Sequence, residues 1–378
     1  MTTGLYAHIP FCIRKCHYCD FTSLPLEEEA ASHYIRALMR EAEIRAGMLI
    51  PEQKALDSVY VGGGTPTCLT ADSLTAVLES ILLFFNLSGG TEITVEANPG
   101  TVDFKKMMSL RRSGVNRISI GFQSCQQELL DTLGRIHSFS QAREAFWEAR
   151  EAGFDNINID LIFGIPGQTT GHWESCLKAV EDLRPEHISA YSLQLEEGTP
   201  LYDRVRGGAL DQCPEDDEAE MYELLIDFLK DKGYLHYEIS NFALPGRACR
   251  HNLRYWRGGE YLGLGPSAHS YLGGRRFSNR PDLKGYMDSL EAGILPVDWE
   301  EEVDLKTAMS ESVFLGLRLI EGLDTGEFRK RFGREIEDVY GEPVSRLEKQ
   351  GLIGIEGGCL RLTRRGIMLG NRVFSEFV

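Results

Sequence analysis

Short apolar runs rich in β-branched residues alternate with longer stretches of helical period through the first half of the chain. The runs are Leu5–Ile9, Ser58–Val61, Glu92–Ala97, Arg117–Gly121, Asn156–Ile162 and Ile188–Leu193, and each predicts a buried strand. Between them, Glu29–Met48, Ala71–Phe85, Asp103–Ser113, Ser140–Ala152 and Gly171–Leu183 carry apolar residues at helical spacing. Strict alternation of strand and helix forces parallel pairing through right-handed crossovers. Six such units predict an α/β fold, an open partial (β/α)6 barrel short of the eight units that close a TIM barrel.

After about residue 200 the rhythm breaks. Residues 214–232 read as one acidic helix, Tyr237–Phe242 as a strand, and 245–285 as a loop region rich in Gly and Arg. From about residue 300 the pattern predicts helices at Leu305–Leu319, Glu327–Phe332 and Arg334–Gln350, a hairpin around Gly357-Gly358 and a last helix, an α+β unit resembling a winged helix. The expected division is a barrel core over 1–240, a connector over 241–299 and a smaller C-terminal domain over 300–378.

Composition narrows the class. With 378 residues, 42% of them apolar, the chain buries a large core without disulfide staples. A net charge of −17 argues against nucleic acid or an anionic membrane as a whole-surface partner. Over 300–378 acidic residues outnumber basic ones, which favours a packing or lid role over DNA reading. No apolar stretch approaches the ~20 residues of a membrane span, and Met1–Pro10 runs into a strand rather than a signal-peptide core, so the expected location is cytoplasmic. In that reducing setting the nine cysteines are read first as ligands, not disulfides.

Polar residues and glycine cluster where the apolar runs stop: Gly62-Gly63-Gly64-Thr65, then Glu96, then Gln123, with Asp160 inside the fifth run. In βα barrels that edge carries the chemistry. The glycine triplet matches neither a dinucleotide fingerprint nor a phosphate loop; residues without side chains let backbone approach a ligand closely. Just after the first strand, Cys12, Cys16 and Cys19 have the spacing C-x3-C-x2-C. Three thiolates on one loop can hold an iron–sulfur cubane and leave one iron open. The alternative is a Cys3His zinc site completed by His8 or His17.

With Tyr18 before its third cysteine, this loop resembles that of the radical S-adenosylmethionine (radical SAM) family. The resemblance implies a [4Fe-4S] cluster on Cys12, Cys16 and Cys19, whose open iron chelates S-adenosylmethionine and whose electron releases a deoxyadenosyl radical. The segments HIPFC, GGGTPT, EANPG, GFQS and IDLIFGIPGQT resemble the porphyrin-related branch, which holds an oxygen-independent coproporphyrinogen III oxidase and haem chaperones. By that resemblance Tyr6, Gly63, Gly64, Thr65, Glu96, Gln123, Arg135 and Asp160 contact S-adenosylmethionine; carboxylates suit its ammonium or ribose hydroxyls, and Arg135 its carboxylate.

Two features point to the chaperone group. Phe21 stands where the oxidase has a fourth cysteine, and His251-Asn252-Leu253-Arg254-Tyr255-Trp256 resembles an H-N-x-x-Y-W motif tied to haem binding. A neutral imidazole ligates haem iron, so His251 is the candidate ligand and Cys249 the second, with Arg247, Arg250, Arg254 or Arg257 facing propionates. The implied partners are haem, an acceptor haemoprotein and a one-electron donor such as a flavodoxin-like protein. Enzymatic cleavage of S-adenosylmethionine stays open. The alternatives are the oxidase itself and a metal-stabilised interaction module. His33, His137, His172, His187, His236 and His269 read as surface or satisfied core residues, and Cys68, Cys125, Cys176 and Cys359 as small hydrophobes.

Overall fold

All six expected strands form, because each alternates an apolar side that packs under helices with a polar side that lines the barrel. A computed structural model describes residues 2–378. The strands are β1 (Thr3–Ile9), β2 (Ala55–Gly63), β3 (Asn86–Ala97), β4 (Arg117–Gln123), β5 (Ile157–Phe163) and β6 (His187–Ser192). They pair in parallel in chain order. Outward, Leu5, Ala7, Val59, Val95, Ile118 and Ile159 are at most 1% exposed against the helices. Each large aliphatic side chain so buried contributes roughly 1.5–3 kcal/mol. Inward stand Tyr6, Ser58, Tyr60, Glu92, Glu96, Arg117, Ser119, Asn158 and Asp160, a polar lining whose groups must find hydrogen-bond partners inside the barrel.

The crossover helices run over Glu28–Met48, Ala71–Phe84, Phe104–Arg112, Phe139–Glu151 and Thr170–Glu181, within two residues of the expected bounds. Their starts follow cap chemistry: Thr70, Asp103, Ser138 and Thr169 each accept a backbone N–H of the first turn. Two short helices, Gln127–Leu133 and Pro200–Arg206, fell outside the expected pattern.

The region 245–285 is not a loop. It contains a helix at Arg250–Trp256, then β9 (Tyr261–Leu264), β10 (His269–Leu272) and β11 (Arg275–Asn279), followed by a helix at Leu283–Glu291 and β12 (Val297–Glu302). The strand β9 lies parallel beside β1, and β10 to β12 continue the sheet antiparallel. The expected strand Tyr237–Phe242 is also two strands, β7 (Leu235–Glu238) and β8 (Asn241–Ala243), with β8 antiparallel to β6. The chain turns there because the Glu238 carboxylate accepts the Ser240 N–H at 3.2 Å. The six-stranded barrel is thus the middle of a 12-stranded sheet.

The C-terminal unit has its own core of Val313, Leu317, Phe328, Ile336 and Leu360. Helices at Leu305–Gly316, Thr325–Phe332 and Ile336–Lys349 precede a hairpin of Ile353–Glu356 and Cys359–Leu362. Gly357 and Gly358 have φ of 61° and 82°, the two left-handed residues that a type I′ hairpin turn requires. The expected last helix is two short ones, Arg364–Met368 and Gly370–Phe374. Among the described residues no helix is long and apolar enough to cross a membrane.

Candidate functional site

Backbone hydrogen bonds draw the cysteine loop and the glycine triplet together at the C-terminal edge of the barrel. Phe11–Cys12 pairs with Leu24–Pro25, which closes the loop carrying Cys12, Cys16 and Cys19. Gly64 N–H donates to Ile9 O at 2.9 Å and Thr65 N–H to Phe11 O at 2.7 Å. A Cβ on Gly64 would stand 2.6 Å from Phe11 O and 3.0 Å from the Cys12 sulfur, so glycine is required for this approach.

One cavity of about 470 Å3 is lined by all three cysteines and by Gly63, Gly64, Thr65, Glu96, Gln123, Arg135 and Asp160. Tyr6 lines a neighbouring cavity that shares Gly63 and Glu96 with it. The structure therefore brings together the three thiols and every residue assigned to S-adenosylmethionine by resemblance except Tyr6, which stands one wall away.

Each polar side chain there is held by its own network. Asn98 donates to Thr65 Oγ1 at 2.7 Å and accepts from Arg135, whose Nη1 lies 3.3 Å from the Cys16 sulfur. Asp160 accepts from Ser119 Oγ and from Asn158 Nδ2, both at 2.8 Å. Glu96 accepts from Tyr60 Oη at 2.8 Å and from Gly63 N–H at 3.1 Å. Burial, then the neighbouring charge of Asp160, pushes the Glu96 carboxyl up to about 7. Burial raises Asp160 as well, against the hydrogen bonds from Ser119 and Asn158. Gln123 has φ of 60° at the end of β4, where the register to β5 slips. That slip turns a non-glycine residue with left-handed backbone toward the cavity, at a cost of order 1 kcal/mol.

Two buried polar atoms at this site, Gln123 Oε1 and Arg135 Nε, have no hydrogen-bond partner. Orphaned donors and acceptors beside three thiols and a glycine cradle fit a polar ligand seated over a sulfur-held cluster. The two histidines of the zinc alternative face elsewhere. His8 accepts from Tyr6 Oη at 2.9 Å and donates from Nε2 to Thr22 O at 2.8 Å, and His17 donates from Nδ1 to Thr132 O at 3.2 Å. Among the described residues no three His, Cys, Asp or Glu side chains converge closely enough to hold a single metal ion.

His251 and Cys249 lie apart from this edge, in the floor of the barrel. His251 is 2% exposed, with Nδ1 on Ser58 Oγ at 3.0 Å and Nε2 on Tyr255 Oη at 2.8 Å. Its ring stacks on Tyr60 at 5.4 Å, and burial drops its pKa to about 3. Cys249 is fully buried, its thiol 3.5 Å from Glu92 Oε1 and pushed up to about 12 by burial. Arg254 is spent on Asp57 and the Thr2 carbonyl, Arg250 on Gly90 O, Arg247 on Asp155 and Arg257 on Glu321.

Glu92, Asn98, Ser119, Tyr60 and Lys106 escaped the sequence reading. For Glu92, Tyr60 and Ser119 a signal existed: they occupy the period-2 positions opposite the apolar side of β2, β3 and β4. Asn98 sits in the EANPG segment itself.

Residues 6–180 match the family model of the radical SAM superfamily and residues 303–369 that of the HemN C-terminal domain. The chain is 37% identical to the haem chaperone HemW of Bacillus subtilis over 374 residues, 99% of this chain and 98% of that protein. It is 32% identical to the haem chaperone HemW of Escherichia coli over 382 residues, again 99% and 98%. Among solved structures, coproporphyrinogen III oxidase (HemN) of E. coli superposes with a TM-score of 0.88 at 24% identity, over 100% of this chain and 89% of that one, a likeness of fold.

Proposed function

This chain belongs to the radical SAM superfamily, in the family of the HemW haem chaperones, and on that premise we propose that it binds haem and delivers it to an acceptor haemoprotein in the cytoplasm. The observation that carries the reading is similarity along essentially the whole length of both chains to proteins named as haem chaperones. Membership of the superfamily implies a [4Fe-4S] cluster and S-adenosylmethionine, which together supply one-electron chemistry when bound.

In this reading Cys12, Cys16 and Cys19 hold three irons. Arg135 meets the carboxylate of S-adenosylmethionine, and Glu96 its ammonium group. Asp160, held by Ser119 and Asn158, accepts from ribose hydroxyls, and Gln123 offers its unpartnered Oε1 to the same ligand. Gly63, Gly64 and Thr65 let the methionine end lie against backbone, while Tyr6 stacks on Tyr60 at 6.3 Å behind the cavity wall. The electron comes from a flavodoxin-like donor.

The test is anaerobic reconstitution with iron and sulfide, followed by titration with haem and transfer to an apo-haemoprotein. A Soret band that moves to the acceptor supports the chaperone. Conversion of coproporphyrinogen III to protoporphyrinogen IX instead favours the oxidase, and iron-free protein with stoichiometric zinc favours the interaction module.

A further inference from the structure

Two cysteines outside the cluster loop stand sulfur to sulfur. Cys125, in the turn after β4, and Cys176, in the helix Thr170–Glu181, have their Sγ atoms 2.8 Å apart across 51 residues of chain. Cys125 also points its thiol at the Cys176 carbonyl, at 3.8 Å. The same turn is docked on the same helix by a second contact, Gln126 Nε2 to His172 O at 2.9 Å. His172 and Cys176 are four residues apart and share one helix face. The helix is itself anchored, because Trp173 Nε1 donates to Met221 O at 2.9 Å. Neither cysteine lines the cavity of the cluster loop, and both are free thiols.

A disulfide bond is about 2.05 Å long, so two sulfurs at 2.8 Å need only a small side-chain adjustment to bond. We propose that Cys125 and Cys176 are an oxidation site, at which a small disulfide such as oxidised glutathione converts the two thiols into one intramolecular disulfide. Burial sets the order of events. Cys176 is 0% exposed and Cys125 is half-buried, so an outside reagent meets Cys125 first. The Cys125 sulfur, giving up its proton, attacks one sulfur of the reagent, whose S–S bond breaks and whose other half leaves as a thiol. The Cys176 sulfur then attacks Cys125 Sγ, and its proton goes to the second glutathione, which leaves. Two protein thiols are oxidised by two electrons and one small disulfide is reduced to two thiols; a dithiol reductant reverses the exchange. The hydrogen bond with Cys176, and then burial, push the Cys125 thiol up, so little thiolate is present at neutral pH and the exchange is slow. A slow pair of this kind answers sustained oxidation rather than brief changes.

The bond staples the chain directly behind Gln123. Only Ser124 separates Gln123 from Cys125, and Ser124 Oγ is held on Gln126 Oε1 at 2.9 Å. The cross-link closes a long loop of chain and so restricts the unfolded state. It keeps the β4 edge of the barrel in place under conditions that unfold the reduced protein. This inference goes beyond the haem reading and does not depend on it.

For the test, full-length, cluster-loaded protein is incubated without oxygen with oxidised glutathione, quenched with N-ethylmaleimide, digested with trypsin and mapped by mass spectrometry. Peptides 118–135 and 151–178 each hold one cysteine, Cys125 and Cys176. The expected product joins these two peptides with the loss of two hydrogens and disappears with dithiothreitol. In Cys176→Ser the expected product is glutathione retained on Cys125, because the resolving thiol is gone. In Cys125→Ser the buried Cys176 is expected to stay unmodified. Oxidised wild type is expected to melt several degrees above the reduced form, with neither variant responding. Glutathione retained on Cys125 of the wild type, or two thiols that stay unmodified until the chain is unfolded, overturns the proposal, and that mapping needs no variant to fold. A protein that fails this test and still transfers haem keeps the chaperone reading, whereas one that cross-links but binds no haem loses only that reading.

Discussion

Arg135 and Cys16 meet at 3.3 Å, guanidinium nitrogen to sulfur, across 119 residues of chain. The same guanidinium reaches Asn98 and the Gly121 carbonyl, so one side chain ties the cysteine loop to the ends of β3 and β4. In the proposed reading this fixed cation beside a thiolate ligand would stabilise a reduced cluster and meet a ligand carboxylate. Arg135→Gln is expected to retain most of its iron, to lower the cluster potential, and to weaken S-adenosylmethionine binding at least tenfold. Redox titration by electron paramagnetic resonance and equilibrium dialysis check this; unchanged potential and affinity would remove Arg135 from the site.

The site was legible where chemistry coincided with a strand end. The cysteine spacing, the glycine triplet, Glu96 and Gln123 stand where an apolar run stops, Asp160 interrupts a run as its one charged residue, and the fold gathers them around one cavity. Most of the strands that escaped lie on the far side of β1. The strand Tyr261–Leu264 is four residues with a glycine inside, and Val297–Glu302 is exposed at every position, an acidic edge strand without alternation to read. These strands exist because β1 and its neighbours offer partners, which is tertiary information. The place of His251, buried in the barrel floor between Ser58 and Tyr255, is tertiary information of the same kind.

Glu96 carries a conflict between stability and binding. With its carboxyl near 7 in the ligand-free fold and near its ordinary value when unfolded, the folded state binds more protons between those limits. Its contribution is therefore full in acid and lost as pH rises through about 7. Glu96→Gln removes that loss. Thermal melts at pH 8 are expected to show the ligand-free variant more stable by about 1–2 kcal/mol, after allowing for water in the cavity. In the wild type, S-adenosylmethionine affinity is expected to fall as pH drops below about 7, and in E96Q to be weak and flat with pH.

His251 acts with the opposite sign. Its pKa is about 3 in the fold, below the unfolded value, so its stabilising contribution is present above the ordinary histidine range and lost as pH falls toward 3. Each pH unit in that window costs about 1.4 kcal/mol. His251→Gln is expected to be less stable than wild type at pH 7.5, because Ser58 and Tyr255 lose a shaped partner, with the gap narrowing by about 2 kcal/mol at pH 5. Urea midpoints at the two pH values decide it, and a gap independent of pH would mean that the imidazole takes up its proton without opening the floor.

Lys106 shows how far support for the site extends beyond its lining. Its ammonium donates to three backbone carbonyls, Thr67 at 2.8 Å, Leu69 at 3.0 Å and Thr101 at 2.7 Å. Thr67 and Leu69 belong to the turn that follows Gly64 and Thr65, and Thr101 to the turn that follows Asn98. A single cation thus clamps two cavity-edge loops whose carbonyls have no strand to satisfy them. Burial lowers the Lys106 pKa, yet three acceptors at hydrogen-bond distance keep the charged form useful. Lys106→Met keeps the aliphatic stem and removes every donor, leaving the three carbonyls to water or to nothing. The expected cost is about 2–3 kcal/mol in urea-induced unfolding. A further severalfold loss of S-adenosylmethionine affinity is expected, because Thr65 and Asn98 are no longer held in register. Lys106→Arg, too large for the same three-way geometry, is expected to recover less than half of either. Affinity that stays at the wild-type value while stability falls would show that the glycine loop keeps its shape without the clamp.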